Sequence, residues 1–191
     1  MGIYNLDDAR RLMEEAHANQ IYDNKPYKIH PEAVRQKALA LFSTIPFIHE
    51  LPFQAACLLH DVAEDQAHRG YTLDFIEQKT ERLVRDYVAW VTKPQKPDNY
   101  KRLSHEDRTL YKLQSNQEHY LALGEKGPRE AQTIKICDRL VNLEDVELQP
   151  IYFVDYYIAD TKNLNNALGT NPWIPILVDR LNKIKKWRAT I

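Results

Sequence analysis

The chain has 191 residues, of which 43% are hydrophobic and 28% charged, with a formal net charge of -1. That is enough for one all-α domain with a sizeable core, and the charge balance argues against bulk attraction to nucleic acid or an anionic membrane. Two cysteines argue against a disulfide framework or a Cys-type zinc site.

The N-terminal residues lack the basic and apolar regions of a signal peptide, and no apolar run approaches membrane-spanning length. A reducing, cytoplasmic setting is the default expectation. A homo-oligomer is allowed but not required.

Only five glycines and few alternating apolar/polar runs favour helix over sheet. A first helix is predicted from about Asp7 to Asn19, with Leu6, Ala9, Leu12, Met13 and Ala16 on its apolar face. Gln20 to His30 reads as a loop. Pro31 suits the first turn of a second helix ending near Ser43. After a connector with Pro46, Pro52 opens a third helix that runs into His60 and Asp61. Gln66 to Tyr71 is a turn, and Thr72 an N-cap for Leu73 to Lys79. Glu81 to Thr92 is helical by periodicity. A polar loop follows from Lys93 to Leu103. Ser104 is the N-cap of a helix reaching about Leu123, with Asp107 at the capping-box position. Gly124 to Pro128 reads as a break. Further helices are expected over Arg129 to Glu147 and Pro150 to Leu168; Gly169-Thr-Asn-Pro172 ends the latter, and a last helix runs to about Arg188.

The stretch Cys57-Leu-Leu-His-Asp-Val-Ala-Glu-Asp65 carries the most chemical information. On one continuous helix His60, Asp61, Glu64 and Asp65 would fall within about 140° of a single face. An imidazole with several carboxylates suits a divalent metal and a proton-transfer partner, and carboxylates crowded at a buried helix end repel one another without a cation. Two other segments fit. His30 stands between prolines in Pro26-Tyr-Lys-Ile-His-Pro31, where the backbone is restricted. Asp138 lies on the apolar stripe of Ile134, Cys137 and Val141, an expensive position for an unpaired carboxylate. Asn142 follows one turn later. The two cysteines read as buried core thiols.

The order H…HD…D resembles the HD-domain metal-dependent phosphohydrolases. More narrowly it is similar to the hydrolase domain of the RelA/SpoT family, with its stand-alone small alarmone hydrolases and metazoan SpoT homologues. The family's motifs match Pro26-Tyr27-x-x-His30-Pro31, His60-Asp61-x-x-Glu64-Asp65, Val91-Thr92-Lys93 and Lys135-x-x-Asp138-Arg139-Leu140-x-Asn142. Ala16, His17 and Gln20 also fit. The motifs span about residues 9 to 146.

The resemblance implies one divalent metal ion, typically manganese, held by His30, His60, Asp61 and Asp138. It implies Glu64 and Asp65 as the catalytic acids. The small-molecule substrate would be a nucleotide, with hydrolysis removing the 3′-pyrophosphate of (p)ppGpp. Asn142 matches a nucleotide-contacting residue. Lys93, Tyr157 and Lys162 are candidate phosphate contacts by position, and Lys93 reads equally as a helix-end cation.

One departure bears on specificity. The family's arginine against the guanine base is absent from Gln20-Ile-Tyr-Asp-Asn-Lys-Pro26, and Tyr22 falls in its place. A tyrosine stacks on a purine but supplies no charge. Another nucleotide or a phosphorylated cofactor such as NADPH, or a non-catalytic nucleotide-binding module, therefore stays open as an alternative.

Overall fold

The structure, a computed structural model, describes residues 4–22 and 25–191, with Tyr22 described by its backbone alone. The architecture is all-α. In chain order the helices are α1 (Leu6–Ala16), α2 (Ile29–Phe42), α3 (Leu51–Leu59), α4 (Val62–Gln66), α5 (Leu73–Lys79), α6 (Arg82–Val91), α7 (His105–Lys126), α8 (Arg129–Asn142), α9 (Ile151–Ala167) and α10 (Ile174–Arg188). Between α1 and α2 lies a small antiparallel pair, β1 (Ile21–Tyr22) and β2 (Lys25–Pro26), in the register Ile21–Pro26 and Tyr22–Lys25. Strands of two residues carry no periodic signal, so the sequence reads them as loop.

The residues group into two compact units. One holds the chain up to Thr92 together with Pro128–Val141, the other Lys93–Gly127 and Asn142–Ile191. In the first unit α3 is the central element, packed by α1, α2 and α6. Phe53 and every residue from Ala55 to Leu59 are buried. Such a helix is apolar all round because it has no solvent face, and each buried Leu or Phe contributes about 1.5–3 kcal/mol of apolar transfer. In α8 the run from Thr133 to Leu140 is likewise buried. Cys57 and Cys137 are fully buried thiols, as their settings predict.

Caps explain where several helices begin. Asn5 and Asp8 form a reciprocal capping box on α1, Thr72 Oγ1 accepts from the Phe75 N–H at 3.2 Å, and Ser104 Oγ accepts from the Asp107 N–H at 3.0 Å. Each satisfies a backbone donor that the first turn leaves unpaired.

Three expectations need correction. The third helix does not carry His60, Asp61, Glu64 and Asp65 on one face: α3 stops at Leu59 and α4 starts at Val62. Gly124 is not a break, since α7 continues through it to Lys126. A Cβ there would lie 2.2 Å from the Ala167 carbonyl oxygen, so the glycine permits the close approach of α7 and α9. Finally, α8 ends at Asn142, and a 3-10 turn at Val146–Leu148 takes up the rest of the predicted helix.

Among the described residues no helix is long and apolar enough to cross a membrane.

Candidate metal centre and acid pair

The joint between α3 and α4 sets up the site. His60 ends α3 and Asp61 precedes α4. The His60 ring donates from Nδ1 to the Cys57 carbonyl at 2.9 Å, close to where the N–H of residue 61 would bond in an unbroken helix. This contact orients the ring and leaves Nε2 as the lone-pair nitrogen, the usual outer-shell device for a metal-binding histidine.

Four ligand-type side chains converge there. His30, from the first turn of α2, His60 and Asp138, from mid-α8, each offer one ligand atom, and these lie within 4.8 Å of one another. His30 Nε2 is 3.2 Å from Asp138 Oδ1 and 3.7 Å from Asp61 Oδ2. His60 Nε2 is 2.9 Å from Asp61 Oδ2 and 3.9 Å from Asp138 Oδ1. Despite its nearness to Asp61, His60 Nε2 is fully buried without a hydrogen bond of proper direction. The ligand atoms of His30, His60 and Asp138 thus stand close enough to share one ion. Ligands bound about 2.1 Å from one ion stand about 3.0–3.4 Å apart when adjacent, so the donor set and its spacing fit a divalent cation. Mixed imidazole and carboxylate ligation leaves the identity of the ion open.

The electrostatics carry the same message. Burial opposes protonation of His60, yet the Asp61 carboxylate beside it raises the imidazole to about 9. Burial pushes Asp61 up, but His60 outweighs it and holds the acid far below the usual carboxylate range. For Asp138 burial is again opposed, first by the Lys135 ammonium and then by His30 and His60, which keep the carboxyl well below its ordinary value. Lys135 is itself buried and donates to Asp138 Oδ2 at 2.9 Å. This arrangement retains positive charge wherever it can, as carboxylates out of water require.

Tyr27 completes the outer shell. Its hydroxyl donates to Asp61 Oδ2, and its ring lies 4.7 Å from that of His17 and 5.6 Å from that of His30. Burial first, and then the charges of Asp61 and Asp65, keep the phenol protonated, so it stays a donor. The sequence motif contains Tyr27, but nothing in spacing alone assigns it this contact.

Glu64 and Asp65 sit in the first turn of α4. Asp65 is partly buried and its pKa is raised, by burial above all and then by Asp61, while a hydrogen bond from Gln20 opposes the rise. Gln20 Nε2 donates to Asp65 Oδ2 at 2.7 Å, joining residues 45 positions apart. Asn142 is half-buried at the end of α8. Lys93 follows α6, and Tyr157 and Lys162 lie on α9; all four belong to the second unit, whereas His30, His60, Asp61, Glu64, Asp65 and Asp138 belong to the first. The side chain of Tyr22 lies outside the described residues, so its expected base contact rests on sequence alone. Of the tyrosines near the start of α9, Tyr152 is 62% exposed, and Tyr156 and Tyr157 are half-buried.

No family model matches the sequence, and no curated protein does. Among solved structures the chain is similar to a metazoan ortholog of SpoT that hydrolyzes ppGpp and plays a role in starvation responses. The match covers 100% of this chain and 99% of that one, with a TM-score of 0.69 and 22% identity. The chain thus has the all-α HD-type fold of that hydrolase.

Proposed function

We propose that the chain is a metal-dependent phosphohydrolase that removes the 3′-pyrophosphate of (p)ppGpp. The observation that carries this reading is the convergence of His30, His60 and Asp138 ligand atoms within 4.8 Å, with Glu64 and Asp65 on the turn after Asp61. The likeness of the fold to a ppGpp hydrolase supports the choice of substrate.

His30, His60, Asp61 and Asp138 would hold the ion, for which manganese is the proposed identity. When bound, a divalent ion lowers the pKa of water and offsets charge on a phosphoryl oxygen. Tyr27 steadies the Asp61 carboxylate, and Lys135 steadies that of Asp138. Asp65, aided by Glu64, takes a proton from the attacking water. A new bond forms between that oxygen and the inner 3′ phosphorus, the ester to the ribose 3′ oxygen breaks, and a proton goes to the leaving oxygen. GDP or GTP and pyrophosphate result. Tyr22, Lys93, Asn142, Tyr157 and Lys162 are proposed substrate contacts on sequence position alone.

The test is pyrophosphate release from ppGpp by the purified chain with Mn2+, beside a nucleotide panel and NADPH, with Asp61→Ala as control. Metal-dependent release from ppGpp that vanishes in Asp61→Ala supports the proposal. Tyr22, standing where the family has arginine, favours a second reading in which the same chemistry acts on another phosphorylated compound. Activity confined to another panel member would select that reading. Silence across the panel from metal-loaded protein would leave a binding module.

A further inference from the structure

Asp65 is anchored by a chain of side-chain amides that the metal chemistry does not use. Gln20, just beyond α1, donates from Nε2 to Asp65 Oδ2 at 2.7 Å. Its Oε1 receives Gln66 Nε2 at 2.6 Å and faces His17 Nδ1 at 2.7 Å. Two donors on the oxygen and a carboxylate on the nitrogen leave the Gln20 amide one sensible orientation. Gln66 is held in turn by Arg69, whose Nη1 donates to Gln66 Oε1 at 3.3 Å and to the Ala16 carbonyl at 2.7 Å. The guanidinium thereby caps the carboxyl end of α1, which has no basic residue in its last turn. His17 and Gln66 are buried, so water competes poorly for these bonds.

The consequence is directional. Asp65 has neighbouring charges of its own sign in Asp61 and Glu64, opposed by His17, and the Tyr27 phenol also senses its charge. An N–H from Gln20 fixes one oxygen and favours the carboxylate form.

We propose that Gln20, oriented by Gln66 and Arg69, is the positioning residue that holds Asp65 as an aimed, proton-accepting carboxylate. This rests on the phosphohydrolase reading, and it names a part of that site outside the ligands and the acid pair.

The experiment compares Gln20→Ala and Gln66→Ala with the unmutated full chain, using ppGpp and Mn2+. Gln20→Ala is expected to lower kcat by about 10- to 100-fold, the usual cost of losing an outer-shell partner, with KM and bound manganese unchanged. The acidic limb of its kcat–pH profile moves to higher pH, because the lost N–H favoured the ionised acid. Gln66→Ala, which only frees the amide to flip, gives a smaller loss in the same direction. A fall in kcat with an unmoved limb, or no fall, overturns the proposal. A second readout needs no substrate: the carboxyl carbon of Asp65 is titrated by NMR in metal-free protein. A higher midpoint in Gln20→Ala sustains the positioning even if ppGpp is not hydrolysed, and an unchanged midpoint overturns it while leaving the phosphohydrolase reading intact.

Discussion

Each unit buries a carboxylate, and the two are held differently. In the second unit Asp160 is 1% exposed and receives N–H from Asn116 at 3.0 Å on one oxygen and O–H from Tyr120 at 3.1 Å on the other. Donors meet lone pairs, and the cluster ties α7 to α9. In the first unit the imidazole nitrogens of His30 and His60 lie 2.9 to 3.9 Å from carboxylate oxygens of Asp61 and Asp138, while Tyr27 and Lys135 donate to the same two acids. Only a proton or a cation reconciles such a set. A buried acid with donors on both oxygens is satisfied by the protein itself, whereas one with an oxygen turned to other ligand-type atoms is a candidate cation site.

The comparison breaks most sharply at His60. His60→Ala is expected to reduce manganese bound per chain, measured by elemental analysis, to background, and hydrolysis with it. Retained metal would mean that the convergence is accidental.

Next in size, Asp65→Asn should keep the metal and lose about 10²–10⁴ in kcat, the range for a general acid–base group. It should also raise the melting temperature of metal-free protein at pH 7. The sign follows from the raised pKa of Asp65: the folded state prefers the protonated acid. The stability from that preference is present at low pH and declines as pH rises through the folded value. Asparagine avoids the decline, so its advantage should shrink toward zero below the unfolded aspartate value of about 3.9. A lower melting temperature at pH 7 would contradict this.

Lys135→Met strands one oxygen of Asp138 and should cost about 3–5 kcal/mol in metal-free protein, as breaking a buried pair does. Chemical denaturation with and without Mn2+ checks it, and the loss should narrow when metal supplies the missing charge. The smallest effect is on the other side of the comparison. Asp160→Asn should cost about 1–3 kcal/mol through mismatched hydrogen bonds and leave metal content unchanged. A drop in bound metal would join the two clusters functionally and undo the distinction.

Much of this was legible before any fold was known. Helical periodicity located α1, α2, α5, α6 and α9 to within a few residues, because burial of one face repeats along a helix. The family resemblance implied His30, His60, Asp61 and Asp138 as one ligand set, and the ligand atoms of His30, His60 and Asp138 lie within 4.8 Å of one another. The joint at His60–Asp61 was not legible, because an apolar run ending in polar residues looks alike whether the helix continues or turns. Gly124 looked like a break for a related reason, since composition records the missing Cβ but not the carbonyl of Ala167 that needs the space.

The sequence by itself determined the helical class, because burial of one face repeats along a helix, and it carried the order of residues that resembles the family's ligands. Tertiary structure alone decided that Tyr27 serves Asp61. It likewise decided that Gln20 reaches Asp65 across 45 residues. Hydrogen bonds and ion pairs act over about 3 Å of space, a distance that separation along the chain does not encode.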